Sequence, residues 1–519
     1  MPSRWDLVLF ALGMGIGACV SGTQTGTTTP PDIEPLTWNG SVAFEARDPT
    51  PTGASSRRRW LPARHVELHA VSASGEVVAR AKTDAEGNFQ LVADTRAQHL
   101  KVVAHLREGE WDLAVTTDSG GERDHEITVP LGDAATPLQV RVDDSHQEAG
   151  ALHILDAIWR GARAVQDWMG RSLPPFYVYW SRGVTTNWSF YNGDRGTGRY
   201  SIELLGGEPG QQATTDTDEH DEMIVLHEFG HFVMDVLSSD SSYGGQHPRG
   251  FLIMPGLAWE EARATWFATM VLRNPRYQDT IGIEPSGQLR VNHDLERGDQ
   301  RDVRGIGSES GVAEILWDLA DGDGTIPDTD QDGVALGPAG MLAAMVELGR
   351  LPGAHPAIPT FLRHLVRTER ASVTEIKRVL EQGGHPPVML PENDQSMWPV
   401  DLPIPGVVAD KIDGLSNPAP SGGPPRPTNG QDAIDVYRIH VEQPTRIRAR
   451  LEIFGSGAAA DHTDLDLELR DIRSELLSSS RGEGQFETVS HRLEPGWYTL
   501  HVRDGGNGNR VGYELRVNR

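Results

Sequence analysis

Asp221-Glu-Met-Ile-Val-Leu-His227-Glu228-Phe-Gly-His231-Phe-Val-Met-Asp235-Val-Leu237 is the stretch that decides how the middle of this chain folds. Ile224, Val225, Leu226, Phe229, Phe232, Val233, Val236 and Leu237 place apolar side chains nearly all round a 3.6-residue period, which predicts a buried helix. On such a helix His227 and His231 stand one above the other on one face. Both imidazoles can then reach a single ion, and Zn²⁺ accepts histidine nitrogens in that arrangement. Glu228 is rotated by about 100° around the same helix, close enough to reach a water on that ion without being a ligand. Buried histidines and carboxylates without a partner are costly, which favours a metal over two idle surface imidazoles.

The pattern H-E-x-x-H at 227–231 reads as a zinc metallopeptidase with Glu228 as general base. Catalytic zinc usually has three protein ligands and an open position. The metzincin continuation is absent, because Met234 stands where it needs glycine and Leu237 where it needs a third histidine. Downstream, Pro255-Gly-Leu-Ala-Trp259-Glu260-Glu261-Ala-Arg-Ala264-Thr265-Trp-Phe267 resembles the W-x-E-G-x-A-T helix of gluzincin peptidases, the class that contains thermolysin and the aminopeptidases. Aligned on Trp259 and Ala264-Thr265, the resemblance implies Glu261 as third ligand. Glu260, one residue out of phase and about 100° away, is the alternative. Ala262-Arg263 replace the family's glycine and aromatic residue, a departure that bears on substrate contacts. Asp235 follows His231 by four residues, as in thermolysin-like sequences. It would either hold an outer imidazole N–H or be a solvated helix acid. The resemblance implies hydrolysis of peptide bonds in a peptide or protein substrate by a zinc-activated water, with the oxyanion donor drawn from Tyr243, His247, His293 and Arg304.

Around this segment the chain reads as multidomain: a zincin-like α+β metallopeptidase domain flanked by two all-β sandwich domains. Residues 37–141 alternate like strands, and Asp84-x-x-Gly87-x-Phe89 resembles the hairpin of the carboxypeptidase regulatory-like sandwich. Residues 148–395 hold the metal motif. Leu152, Leu155, Ile158, Trp159, Ala162, Val165 and Trp168 predict a helix, and further helices are expected over 311–319, 340–349 and 360–367. Residues 176–180 and 199–205 predict strands. The second is expected to be a sheet edge on which an extended substrate pairs. Residues 396–430, rich in proline and glycine, read as a linker. Residues 431–519 alternate again. Asp464-Leu-Asp-Leu467 and Pro495-Gly-Trp-Tyr498 resemble the bacterial pre-peptidase C-terminal domain, a sandwich attached to secreted peptidases.

The first residues predict export. Arg4 precedes an apolar run, Leu7 to Ala18, too short to span a bilayer. Ile16-Gly-Ala-Cys19 resembles the lipobox of bacterial lipoproteins, so residues 1–18 read as a signal peptide, Cys19 as the lipidated residue and 19–36 as a flexible tether. Cys19 is the sole cysteine of 519 residues, which leaves no internal disulfide. Together these imply an exported protein held at a bacterial outer membrane or cell surface by the lipid anchor alone. A net charge of −27 argues against a nucleic-acid partner. Asp321-Gly-Asp-Gly and Asp328-Thr-Asp-Gln-Asp-Gly333 open like Ca²⁺ loops and make calcium a second candidate ion, although Ala339 occupies the position where an EF-hand needs glutamate. The rival reading is a surface adhesion or binding lipoprotein whose peptidase domain has degenerated.

Overall fold

The computed structural model describes residues 35–50, 53–186, 188–193, 198–239, 244, 247, 250, 252–282, 289–298, 303–327, 329, 331–390, 398–412, 434–454, 464–482, 484–504 and 511–519. The signal segment, Cys19, the tether up to residue 34, Tyr243, Asp328 and the linker from 413 onward lie outside them. The described chain is a mixed α/β protein of several sheets and seven α-helices: α1 (Gln147–Met169), α2 (Glu222–Leu237), α3 (Pro255–Leu272), α4 (Glu309–Asp318), α5 (Gly337–Gly349), α6 (Ile358–Arg367) and α7 (Val373–Gln382).

In the N-terminal part the long strand Leu36–Thr50 is the organiser. Its first half pairs antiparallel with Asn88–Ala93 and its second half antiparallel with Gly53–Pro62, while residues 40–44 pair in parallel with Leu138–Val142. A second sheet of Val77–Lys82, Glu67–Val71, His99–Val103 and Glu126–Pro130 is antiparallel throughout. Asn88–Ala93 shows why such strands form: Phe89, Leu91 and Ala93 are buried while their neighbours are exposed, the period-2 pattern of a half-covered sheet.

The sequence puts a boundary between 141 and 148, but the sheet beneath the metal motif runs across it. Its order is Phe190–Asn192, Tyr200–Glu203, Phe176–Tyr179, Trp111–Thr116, His105–Glu108, so two strands from the N-terminal region complete it. A single apolar core accordingly runs from Phe44 and Leu68 through Val115 and Val178 to Phe229 and Trp317. One expectation is corrected here. Tyr200–Glu203 is interior to the sheet, because the chain folds back and Phe190–Asn192 pairs antiparallel on its outer side. The edge available to an extended peptide is therefore Phe190–Asn192.

The linker is shorter than its composition suggests. Val400–Asp401 pairs with Ile434–Val441, and Gly406–Ile412 pairs with Val511–Asn518, so both belong to the C-terminal sheets. Those sheets, of five and four strands, enclose a separate core that includes Ile447, Leu451, Leu467, Leu500 and Leu515.

Candidate metal centre

Helix α2 is buried because its sequence is apolar round most of its circumference, and α3 packs directly along it. Gly230 sets how close the two come. A Cβ there would stand 3.0 Å from the Ala264 Cα and 3.1 Å from its carbonyl oxygen, so only glycine allows this approach without a shift. On the far side of α2, Phe229 and Phe232 pack on Phe176 of the sheet, with ring centroids at 5.1 and 4.4 Å. A helix clamped on both sides has one rotation about its axis, and that rotation aims His227 and His231 at α3.

Three ligand atoms converge as a result. Glu261 Oε2 lies 3.1 Å from His227 Nε2 and 3.2 Å from His231 Nε2, and the two imidazole nitrogens are 3.2 Å apart. These residues form a group able to hold a metal ion. Burial alone would raise the Glu261 carboxyl, but the facing imidazoles of His231 and His227 overcome it and hold the group well below the usual carboxylate range. Glu260 is turned away and paired with the buried guanidinium of Arg263 on its own helix, and Arg263 also donates to the Ser239 carbonyl at 2.5 Å. Helix phase therefore brings Glu261 to the two imidazoles and Glu260 to Arg263.

The outer nitrogen of His227 is held by Thr265, whose Oγ1 is 3.0 Å from Nδ1. In the sequence Thr265 stands out only as part of the Ala264-Thr265 pair of the motif. Its position four residues after Glu261 on one helix face is the signal that could have shown the role. Asp235 instead accepts the Tyr191 hydroxyl at 2.7 Å, tying α2 to the edge strand.

Beside the triad lies a cleft of about 570 Å³ whose walls include Glu228, His247, Tyr277, Asp218 and Asp279. Of the expected oxyanion donors, Arg304 and His293 both turn to the buried Glu314, His293 at 3.1 Å. His247 faces the centre: its Nε2 is 3.7 Å from Glu261 Oε1 and its Nδ1 is 3.0 Å from Glu309. Burial pulls its imidazole down, yet the carboxylates of Glu309 and Glu261 push it up to about 10. Tyr277, which was not anticipated, packs its ring 5.7 Å from that of His227. Burial, then Asp279 and Glu228, push its phenol well above the ordinary value.

A second group of acids includes two residues of the cleft wall, Asp218 and Asp279. Asp216, Asp218 and Asp279 present oxygens that all lie within 4.8 Å of one another. Burial and then the neighbouring Asp216 push Asp218 up to about 8, and burial and then Asp218 push Asp279 well above its ordinary value. The acidic loop expected near 321–333 forms no such group among the described residues: Asp323 spends its carboxylate on the Thr325 and Ile326 turn, and Asp332 accepts from the Val334 amide.

No protein-family description and no curated protein matches the chain. Among solved structures it is similar to the pre-peptidase C-terminal domain of a collagenase from Bacillus anthracis, at 17% identity over 23% of this chain and 92% of that one, with a TM-score of 0.17. It is also similar to a periplasmic inhibitor of g-type lysozyme from Aeromonas hydrophila, at 12% identity over 23% and 94%, with a TM-score of 0.15. No described helix is long and apolar enough to cross a membrane.

Proposed function

We propose that the chain is an exported zinc-dependent peptidase of gluzincin type, with His227, His231 and Glu261 as ligands and Glu228 as general base. The observation that carries this is the convergence of two imidazoles and one carboxylate from α2 and α3 at 3.1 to 3.2 Å. Tetrahedral ligands at the usual Zn–N and Zn–O lengths stand roughly 3.3 Å apart, so the triad fits zinc without rearrangement. The donor set, two nitrogens and one carboxylate oxygen, suits the same ion, and the Thr265 hydroxyl accepting from His227 Nδ1–H would fix the tautomer that leaves Nε2 for the metal.

Zinc bound there would lower the pKa of its water and polarise the scissile carbonyl. Glu228 lines the cleft beside the triad on the adjacent face of α2, where its carboxylate can take the proton of the attacking water and pass it to the leaving amine. His247, whose ring faces Glu261 across the cleft, is the described donor best placed to meet the oxyanion. An extended substrate would add to the edge strand Phe190–Asn192, and the cleft would take its side chains.

The adhesion reading has less support, since a site without function has no reason to keep ligands, base and the Thr265 contact together. The test is metal analysis of the purified protein combined with cleavage of an unbiased peptide library. About one zinc per chain and chelator-sensitive cleavage are expected, whereas a metal-free, inert protein would favour adhesion.

A further inference from the structure

We propose that Asp216, Asp218 and Asp279 form a calcium site beside the cleft, separate from the triad of His227, His231 and Glu261. Oxygens coordinating one Ca²⁺ at 2.3–2.6 Å can be at most about 5 Å apart across the ion. The three carboxylates meet that limit, with ligand atoms all within 4.8 Å. The donor set is oxygen alone, which selects a hard cation over zinc.

Few donors serve the three carboxylates. The guanidinium of Arg290 holds Asp216 Oδ2 and stands 3.9 Å from Asp279 Oδ2, and the Ser189 hydroxyl holds Asp218 Oδ2. Asp216 Oδ1 and Asp279 Oδ1 are buried and have no hydrogen-bond partner among the described residues. Asp279 is only 7% exposed, so an unpaired carboxylate oxygen there lacks solvent to compensate it. Asp216 thus has a donor on one oxygen and none on the other, as a carboxylate does when a supporting contact holds it beside a metal. Arg290 supplies one positive charge against three carboxylates, and its side chain is 44% exposed. A divalent cation would balance the remainder.

The backbone is fixed for the task. Asp216 bridges to Ile281 and Thr217 to Gly206, which pins the start of the segment, and Asp279 lies on the strand Arg276–Thr280. Asp221, at the start of α2, accepts from the Thr280 amide and hydroxyl at 3.1 and 3.0 Å. Calcium would thus tie residues 216–221 to 279–280 immediately ahead of the helix that bears His227. The site does not depend on the chain's being a peptidase.

The experiment titrates the zinc-loaded full-length protein with CaCl₂, and separately with Tb³⁺, whose emission Tyr277 and Trp188 in the same cleft would sensitise. Saturable Ca²⁺ binding with a Kd at or below about 1 mM, a rise in Tm, and Tb³⁺ emission displaced by Ca²⁺ are expected. Asp279→Asn and Asp216→Asn should each remove one calcium equivalent while zinc content stays at the wild-type level. Absence of Tb³⁺ emission and of any calcium effect on the wild-type protein would overturn the proposal, as would unchanged binding in both variants. If Asp279→Asn leaves calcium binding intact but shifts cleavage away from lysine and arginine, the acids recognise cationic substrate groups and the calcium assignment is wrong. Zinc content is read in every arm, so failure of the zinc reading shows independently.

Discussion

The pair Glu260 and Glu261 shows how much one residue of helix phase decides. Glu261 faces both imidazoles, while Glu260 neutralises the buried Arg263. Glu261→Ala is expected to abolish stoichiometric zinc with little change in fold. Glu260→Ala should keep zinc but destabilise the protein by about 3–5 kcal/mol, because it strands a buried cation. Metal analysis beside thermal unfolding separates the two, and loss of zinc in Glu260→Ala alone would reverse the assignment. Thr265→Ala should weaken zinc binding about 10- to 100-fold, read by competition with a chelator of known affinity. His247→Ala should lower kcat about 100-fold with zinc retained, and an unchanged kcat would place the oxyanion donor elsewhere. His227, Glu228 and His231 were legible because a local motif on one helix carries its own geometry. Thr265 and Tyr277 were not, since their roles depend on how α3 and a distant strand pack against that helix.

Helix α2 is held by contacts of two kinds. Along α3 the constraint is steric: Gly230→Val should force the helices apart, cost about 1–3 kcal/mol and weaken zinc binding together with stability. At its N-terminus the constraint is ionic. Glu222 accepts from His153 at 2.9 Å and is ion-paired with Arg160 at 2.7 Å, both on α1. Burial would raise this carboxyl, but His153 and Arg160 outweigh it and hold it well below its usual value. Its folded value is depressed, so its stabilisation is present above the ordinary glutamate pKa of about 4.3 and is lost as pH falls below that. Urea midpoints measured between neutral pH and pH 3 should therefore fall more steeply in the wild type than in Glu222→Gln, and parallel curves would refute the linkage. Periodicity predicted α1, α4, α5 and α6 to within a few residues. It missed α7, although Ser372 and Glu375 form a capping box at its start.

For the whole molecule the sequence conveys the alternation of β, helical and β regions but not where they join. Strands His105–Glu108 and Trp111–Thr116 read locally as part of an N-terminal sandwich, yet they complete the sheet under α2, a non-local pairing that composition cannot reveal. Cutting the chain between 141 and 148 should thus give an insoluble or unfolded metal-site fragment, whereas a fragment beginning near residue 35 should fold. The N-terminal segment predicts that Cys19→Ser moves the protein from the membrane fraction to the soluble one or leaves it unprocessed, and a wild-type protein already wholly soluble with an unmodified N-terminus would contradict the anchor. The central claim, a zinc peptidase driven by one carboxylate, is tested most directly by Glu228→Gln, measured for zinc content and peptide cleavage in the same preparation. The account expects about one zinc per chain and a loss of cleavage of at least ~100-fold, because the amide cannot accept the water's proton. Cleavage at the wild-type rate in a zinc-loaded Glu228→Gln protein would contradict it.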